Sequence, residues 1–478
     1  MDAAGGLSYW RFQRNNVSSD ETDGGGPPTE TALEIELGSL GPPARPYLFV
    51  ILEGERPLSG GARYDLSEID EVSIGRGASG SGREVKRGRS EGKRRLSFTT
   101  SGQFLSKDHA SLQRSDQGWV VLDRGSRNGV LVNGVQIDGP ALLNPGDVVT
   151  LGRVFLMVEV EESEALPDIR GEDDVDGPPG FVTLVPSFEQ QLARLRQEAP
   201  RNTAITLVGE TGTGKEVMAK AIHAASGRRG PYIGINCGAI ARSLIESELF
   251  GHVKGAFSGA ATERLGHIRE ANHGTLLLDE IVAAPQEVQV ALLRVIQERE
   301  VTPVGGRGGQ SIDVRFVAAA QRPLADAVEE MGFRPDLQAR LGAFTFQLPP
   351  LRERIQDVGI LVAATLRRMG VTEKDNPRLS LQAATNLVRY DWPRNIRELA
   401  QAIDVAWGSA KNGEIGDADL PKPKPEEGAS RSRLKQQLVA QLRAARGNVA
   451  EVARKMGRTR PLIYNWLKRF DIDPESFR

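Results

Sequence analysis

The chain has 478 residues, with 61 Lys and Arg against 63 Asp and Glu, a formal net charge of −2. At 39% hydrophobic and 26% charged it has apolar material for about three domains, which excludes collagen-like, fibrous and wholly disordered classes. No apolar run approaches a membrane span, no basic-then-apolar leader opens the chain, and a single cysteine, Cys237, excludes a disulfide scaffold or a cysteine zinc site. These features predict a cytoplasmic, multidomain protein without a membrane partner.

Composition divides the chain. Residues 1–46 are rich in Gly and Pro and poor in apolar residues, and are predicted to be a disordered arm. Residues 47–160 hold short β-rich runs such as YLFVIL, GWVVLD and VFLMVEV between Asn-Gly and Pro-Gly turn signals, which predicts an all-β sandwich. Residues 161–180 carry eight acids and one base and are predicted to be an acidic linker. From 181 to 417 strand-like runs alternate with helical ones, which predicts an α/β domain with a parallel sheet, with a helical lid from about 350. Residues 418–430 form a second, Pro-rich linker, and 431–478 are helical in pattern.

In the α/β segment, Gly209, Glu210, Thr211, Gly212, Thr213, Gly214, Lys215 and Glu216 lie between the strand Ile205–Val208 and a helical stretch. That is the setting of a phosphate loop: glycines let backbone N–H groups face phosphates, the helix N-terminus favours an anion, and Lys215 reaches the outer phosphates. Glu216 stands where a Ser or Thr hydroxyl usually meets Mg²⁺. About 65 residues on, the strand Leu276–Leu278 ends in Asp279 and Glu280. Asp279 is placed to hold Mg²⁺, and Glu280 to polarise an attacking water.

These residues, with INCGAI (235–240), ESELFGHVKGAFSGA (246–260), FRPDLQARL (333–341), LPPLRER (348–354) and WPRNIREL (392–399), resemble the central AAA+ domain of bacterial enhancer-binding proteins, which activate sigma-54 RNA polymerase. The resemblance implies ATP and Mg²⁺ as ligands and an ATPase that assembles as a hexameric ring. It implies that Gly255, Ala256, Phe257, Ser258, Gly259 and Ala260 form the loop that touches sigma-54. It gives Asn236 the role of holding Glu280, Arg334 and Arg340 that of reaching a neighbouring subunit's site, and Arg397 that of sensing the γ-phosphate. An arginine supplied across an interface stabilises charge in the transition state and ties turnover to assembly. The sequence departs from the family at Ser258 (usually Thr), at Ala320 and Gln321 (usually Thr-Asn) and at Arg394 (usually Gly).

The β-rich segment carries Gly75 and Arg76, then Ser106, Lys107 and His109, then Arg127, Asn128 and Gly129. This order resembles the forkhead-associated (FHA) domain, an eleven-stranded sandwich that binds phosphothreonine peptides through its loops. Arg76 and Ser106 supply the charged and hydroxyl donors a phosphate needs, and Asn128 meets the peptide backbone. Lys107 and Arg127 flank the site, and His109 is implied to brace the loop. Between Arg76 and Arg95 lie eight Lys or Arg and two Glu. That insert reads either as a solvated loop or as an anion-attracting surface, for nucleic acid or for the acidic linker.

The tail segment GNVAEVARKMGRTRPLIYNWLKRF resembles a Fis-type helix-turn-helix. Twelve Lys or Arg against four acids over 431–478 suit DNA phosphate, so the small net charge of the whole is a cancellation. Arg460 and Asn465 are candidates for base edges, Lys468 and Arg469 for phosphate, and half-site geometry implies a dimeric DNA anchor. The expectation is a sigma-54-dependent activator bound to upstream promoter DNA. Its input is a phosphothreonine protein or Ser/Thr kinase pathway, with Thr22, Thr29 and Thr31 of the arm as possible phosphorylation sites. The alternative is a DNA-binding, phosphopeptide-responsive regulator that binds nucleotide without remodelling sigma-54.

Overall fold

The computed structural model describes residues 43–478 apart from 79–81, 170, 172–179, 258–259, 424–437, 440, 443–444, 446, 457–462, 464–466, 468–471 and 478. Thr22, Thr29 and Thr31 lie outside the described residues.

The first part is a two-sheet sandwich of β1 (Ala44–Glu53), β2 (Ala62–Asp65), β3 (Glu71–Arg76), β4 (Glu84–Ser90), β5 (Lys93–Thr100), β6 (Ala110–Ser115), β7 (Gly118–Asp123), β8 (Val130–Val132), β9 (Val135–Gln136), β10 (Ala141–Leu142), β11 (Val148–Leu151) and β12 (Val154–Glu162). One sheet runs β2-β1-β12-β11-β8-β9 and the other β10-β7-β6-β3-β5-β4. Among the described residues this part holds twelve strands, where the FHA resemblance implies eleven. The basic insert is an antiparallel hairpin of β4 and β5 rather than a loop, turning at Glu91 and Gly92 with φ of 53° and 79°. Positive φ at both central residues is the primed turn whose twist matches paired strands. Arg87 of this hairpin donates to both carboxylate oxygens of Asp168 at 2.8 Å, so the basic insert meets the acidic segment. That segment is pinned further by the Arg63–Ile169 backbone bridge and by the Tyr47 hydroxyl on Ser163 at 2.8 Å.

Successive residues of a strand point to opposite faces, so a strand covered on both sides reads as a continuous apolar run. β1 is such a strand. Leu48 and Val50 enter the sandwich core with Val72, Phe98 and Leu156. Tyr47, Phe49 and Ile51 point the other way, and with Phe155 and Met157 of β12 they share a core with Val358, Val362, Leu366, Leu387 and Trp392. Those last residues belong to the helical lid of the second part.

The second part has a five-stranded parallel sheet of β13 (Ile205–Val208), β14 (Tyr232–Asn236), β15 (Thr275–Asp279), β18 (Arg315–Ala320) and β19 (Phe344–Gln347), with a small hairpin of β16 (Glu300–Val301) and β17 (Gln310–Ser311) beside it. The order is β14-β15-β18-β13-β19, which puts the carboxyl ends of β13, β15 and β18 side by side. The lid consists of helices Val358–Arg368, Leu381–Arg389 and Asn395–Gly408 with the two-residue strands β20 (Arg378–Leu379) and β21 (Glu414–Ile415).

Near the C-terminus, helix Val449–Lys455 is capped by the Asn448 side chain, which accepts from Ala450 and Glu451 N–H groups at 3.1 and 3.3 Å. Leu438, Leu442, Val452, Ile463 and Leu467 form its small core. Arg460, Asn465, Lys468 and Arg469 lie outside the described residues. Among the described residues no helix is long and apolar enough to cross a membrane.

Candidate functional site

The loop Gly209–Gly214 leaves β13 and feeds helix Lys215–Ala225. Gly214 is left-handed at φ 102°, and Gly212 at φ 81° lies so close to the lid that a Cβ there would sit 2.1 Å from the Arg394 carbonyl oxygen. Only glycine satisfies both demands at Gly212. Beside the loop lies a cavity of about 460 Å³ lined by Lys215, Asn236, Asp279, Glu280, Gln321 and Arg397 among others. Strand ends of a parallel sheet, a phosphate loop and a helix N-terminus thus converge on one concave site.

Lys215 donates to the loop's own carbonyls, to Gly209 at 2.7 Å and Glu210 at 3.0 Å. Burial pushes its ammonium pKa down despite the nearby Asp279 and Glu280 carboxylates. Burial likewise pushes the Asp279 carboxyl up, against the opposing Glu280 N–H and Lys215. Desolvation therefore outweighs mutual attraction, and the site gains from an added anion beside Lys215 and an added cation beside Asp279. Glu280 sits at φ 53°, an uncommon conformation for a non-glycine residue and one that clusters at functional sites. Glu216, in place of a hydroxyl, pairs with Lys220 at 2.7 Å. Cys237 is buried next to these groups and its thiol is pushed up to about 12, so it is inert at neutral pH.

Asn236 lies opposite Asp279 in the β14–β15 register. Its side-chain oxygen accepts from the Gly238 and Ala239 N–H groups at 2.8 and 3.0 Å. Among the described residues it makes no hydrogen bond to Glu280, so the implied Asn236–Glu280 clasp is not formed here. The Asn236 oxygen is instead taken up by its own turn. Arg397 lines the cavity and its N–H donates to the Gly212 carbonyl at 3.3 Å. Arg334 and Arg340 do not line it. Arg334 precedes helix Pro335–Leu341 and pairs with Asp336 at 3.0 and 2.5 Å, while Arg340 borders a separate cavity with Asn202 and Arg299. Gln321 reaches the cavity from the end of β18, and Ala320 before it is buried.

Three residues that the sequence reading left without a role brace the phosphate loop. Arg352 grips Glu210 through two hydrogen bonds of 2.9 and 2.6 Å. With the Asn395 amide, it holds the Glu210 carboxyl down at about 2. Buried Arg354 donates to the Thr213 carbonyl at 3.0 Å. Asn395, fully buried, donates to Glu210 and to the Thr211 carbonyl. Two of the three lie in LPPLRER, which resemblance marked as a family motif without saying what its arginines touch.

The Gly255–Ala260 segment folds back on itself: Gly255 N–H donates to Ala260 and Ala260 N–H to Phe257, at 2.9 and 3.0 Å. Phe257 is 40% exposed and meets the His252 ring edge-on at 5.0 Å. Ser258 and Gly259 lie outside the described residues.

On the sandwich, the Arg76 N–H donates to the Ser106 carbonyl at 2.9 Å, uniting loops 30 residues apart. A Cβ at Gly75 would lie 2.0 Å from the Lys107 carbonyl oxygen, so the approach requires glycine. The Ser106 hydroxyl accepts the Arg127 N–H at 3.0 Å, which leaves its own proton to donate outward. Asn128 donates to the Phe104 carbonyl at 2.8 Å and keeps its oxygen for a partner N–H. Buried His109 accepts the Ser106 N–H on Nδ1 and donates from Nε2 to the Gly129 carbonyl at 3.1 Å, the bracing role expected of it. Arg76, Lys107 and Arg127 are exposed and form no ion pair among the described residues.

Fold and site together define a P-loop α/β domain of the AAA+ type with a helical lid, carried behind an FHA-type β-sandwich. Residues 72–152 match the FHA domain family, 181–347 the sigma-54 interaction domain, 352–437 the AAA+ ATPase lid domain and 430–474 the homeodomain-like domain. The sigma-54-dependent transcriptional activator SfnR of Pseudomonas putida is 46% identical over 49% of this chain and 65% of its own length. The transcriptional regulatory protein ZraR of Klebsiella oxytoca is 39% identical over 66% of this chain and 75% of its own. The chain thus spans just under two thirds of SfnR and three quarters of ZraR. A solved structure of NtrX from Brucella abortus in complex with ATP is 29% identical, covering 61% of this chain and 69% of that one, with a TM-score of 0.46. The chain belongs to the family of sigma-54-dependent transcriptional regulators.

Proposed function

We propose that the chain activates transcription by hydrolysing ATP to remodel sigma-54 RNA polymerase from upstream promoter DNA, under the control of phosphothreonine recognition by its FHA loops. The observation that carries this reading is the convergence of Lys215, Asp279, Glu280 and Arg397 on one cavity beside a phosphate loop. In this reading Lys215 leaves the Gly209 and Glu210 carbonyls for the β- and γ-phosphates of ATP. Glu280 polarises the attacking water, and Arg397 reports the γ-phosphate from the lid. The carboxylate of Asp279, half-buried and short of positive charge, suits a hydrated Mg²⁺, which supplies charge neutralisation when bound. Arg334 and Arg340 do not line their own chain's cavity, which accords with action in a neighbour's site within a homo-oligomeric, hexameric ring. Arg334 must then exchange Asp336 for phosphate.

Gly255–Ala260, with the exposed ring of Phe257, is the proposed contact to sigma-54. Arg460, Asn465, Lys468 and Arg469 are the proposed DNA contacts of a dimeric anchor. Arg76, Ser106, Lys107, Arg127 and Asn128 are the proposed phosphothreonine site, reading a kinase-modified protein in the cytoplasm. The domain limits proposed are 47–160, 181–417 and 431–478. The test is open-complex formation at a sigma-54 promoter with ATP, alongside ATP turnover. Wild-type protein should do both, and Glu280→Gln should bind ATP but do neither. Nucleotide binding with no more turnover than Glu280→Gln, and transcriptional effects independent of ATP, would favour the regulator that does not remodel. The open Asn236–Glu280 pair is the observation on that side.

A further inference from the structure

Few side chains separate the proposed phosphothreonine loops from the ATPase lid. Asn128 holds the Phe104 carbonyl at 2.8 Å, and the Phe104 ring is the platform for the Arg153 guanidinium, 4.4 Å from its centroid. Arg153 then donates to the Leu379 carbonyl at 3.0 Å and pairs with Glu414 at 2.9 Å. Leu379 and Glu414 lie on β20 and β21, the two strands of the lid. The lid helix that follows Trp392 begins at Asn395 and carries Arg397, so it touches the phosphate loop and lines the nucleotide cavity.

The contact around Arg153 is not isolated. The Leu379 N–H donates to the Gly54 carbonyl at 2.6 Å, Arg367 to the Leu58 carbonyl at 2.8 Å, and Arg389 to the Asn133 carbonyl at 3.2 Å. Beneath these bonds lies the core shared by β1, β12 and the lid helices. On another side, fully buried Arg63 of β2 donates to the Leu184 carbonyl at 3.1 Å and to Glu189 at 2.6 Å. The Leu184 N–H and the Thr183 hydroxyl donate to buried Asp357, at 2.7 and 2.8 Å. Asp357 neighbours Arg354, the residue that holds Thr213 of the phosphate loop. The sandwich therefore cannot move relative to the lid without breaking a packed core and several buried polar contacts.

We propose that the phosphothreonine loops and the nucleotide cavity are thermodynamically coupled through this docked lid, with Arg153 as the positioning residue that links them. The proposal rests on the phosphothreonine reading of the FHA loops. A ligand shifts an equilibrium only through contacts that differ between states. Here the differing contact is local: a bound peptide N–H engages the free Asn128 oxygen and re-seats the amide that holds the Phe104 carbonyl, and with it the platform of Arg153. The lid, on which Arg397 and Asn395 sit, then changes its hold on the nucleotide. Coupling between two binding sites is reciprocal, so nucleotide must change peptide affinity by the same factor.

The experiment uses the full chain and a fluorescent phosphothreonine peptide, the tightest binder from a degenerate phosphothreonine pool. Its Kd is measured without nucleotide and with saturating ADP, and the ADP Kd is measured with and without saturating peptide. Both ratios should be equal and at least about fivefold. In Arg153→Gln, and separately in Glu414→Gln, peptide affinity without nucleotide should stay within about twofold of wild type while the coupling ratio falls toward one. Peptide binding that ignores ADP in the wild type overturns the coupling. A ratio unchanged in both variants overturns the role of Arg153. Failure of any phosphothreonine peptide to bind rejects the phosphothreonine reading itself, and the coupling with it.

Discussion

Asn395 of the lid donates its side-chain amide to the Thr211 carbonyl of the phosphate loop at 3.0 Å, while its oxygen accepts the Leu351 N–H at 2.7 Å. One buried side chain thus ties the lid to both the phosphate loop and the segment that leads into the lid. Its backbone is left-handed at φ 55°, a conformation that asparagine tolerates better than alanine.

Asn395→Ala should therefore lose the hydrogen bonds and strain the backbone, for a loss of about 2–4 kcal/mol, and should weaken ADP binding. Asn395→Gly loses the same bonds without the strain and should be about 1 kcal/mol more stable than Asn395→Ala. Urea denaturation of the two variants checks this. An alanine variant as stable as the glycine variant would show that backbone strain contributes nothing.

Glu210 and Arg352 give a pH signature. The folded Glu210 carboxyl is held at about 2 against an ordinary 4.5, so the pair's contribution is full above about pH 4.5 and is lost as pH falls toward 2. The pair is exposed, and its worth is small, below about 1 kcal/mol. The melting temperature of Arg352→Gln should lie slightly below wild type at pH 6, and the gap should close as pH is lowered through 4 toward 3. A gap that widens on acidification contradicts the assignment.

His109 touches no ligand in the proposed FHA site, yet it holds Ser106 and Gly129 from within. His109→Ala should lower stability by about 2–3 kcal/mol, because two buried backbone groups lose their partner. It should also abolish phosphopeptide binding at temperatures where the domain remains folded. Calorimetric titration below the melting transition separates the two effects; full affinity there would reduce His109 to a stability role.

The core shared between sandwich and lid predicts the behaviour of a shortened chain. Starting the protein at residue 181 uncovers Val358, Val362 and Leu366, which Tyr47, Phe49 and Ile51 otherwise cover. Such a chain should self-associate and melt several degrees below one starting at residue 44. Light scattering and calorimetry read this directly, and a monodisperse, equally stable 181–478 chain would rule out any stabilising role for the sandwich.

The cavity was largely legible in the sequence because phosphate loops and strand-end carboxylates are local patterns. Lys215, Asp279, Glu280 and Arg397 could be assembled from spacing and resemblance alone, and the structure brings all four to one cavity. The braces were not legible. Arg352 and Asn395 meet Glu210 across 142 and 185 residues, and no periodicity encodes a contact at that range. The basic insert read as a choice between a solvated loop and an anion-attracting surface, because high charge hides strand patterning; the Arg87–Asp168 contact settles where one of its cations goes. The docking of sandwich on lid did leave a trace. Tyr47–Leu52 is apolar without alternation, the mark of a strand buried on both faces, and it was read only as a strand of one sandwich.

That two-sided strand also sets a problem of timing. β12 leaves the ribosome, completing its pairing with β1, about 200 residues before the first lid helix, Val358–Arg368, roughly 10–40 s at about 5–20 residues per second. For that interval the sandwich can close its own core, yet Tyr47, Phe49, Ile51, Phe155 and Met157 lack the lid side chains that complete their second core. The nascent sandwich is therefore a sticky intermediate whose shelter arrives only with late translation. Slow codons or a stalled ribosome before the lid would prolong its exposure and its demand for chaperones.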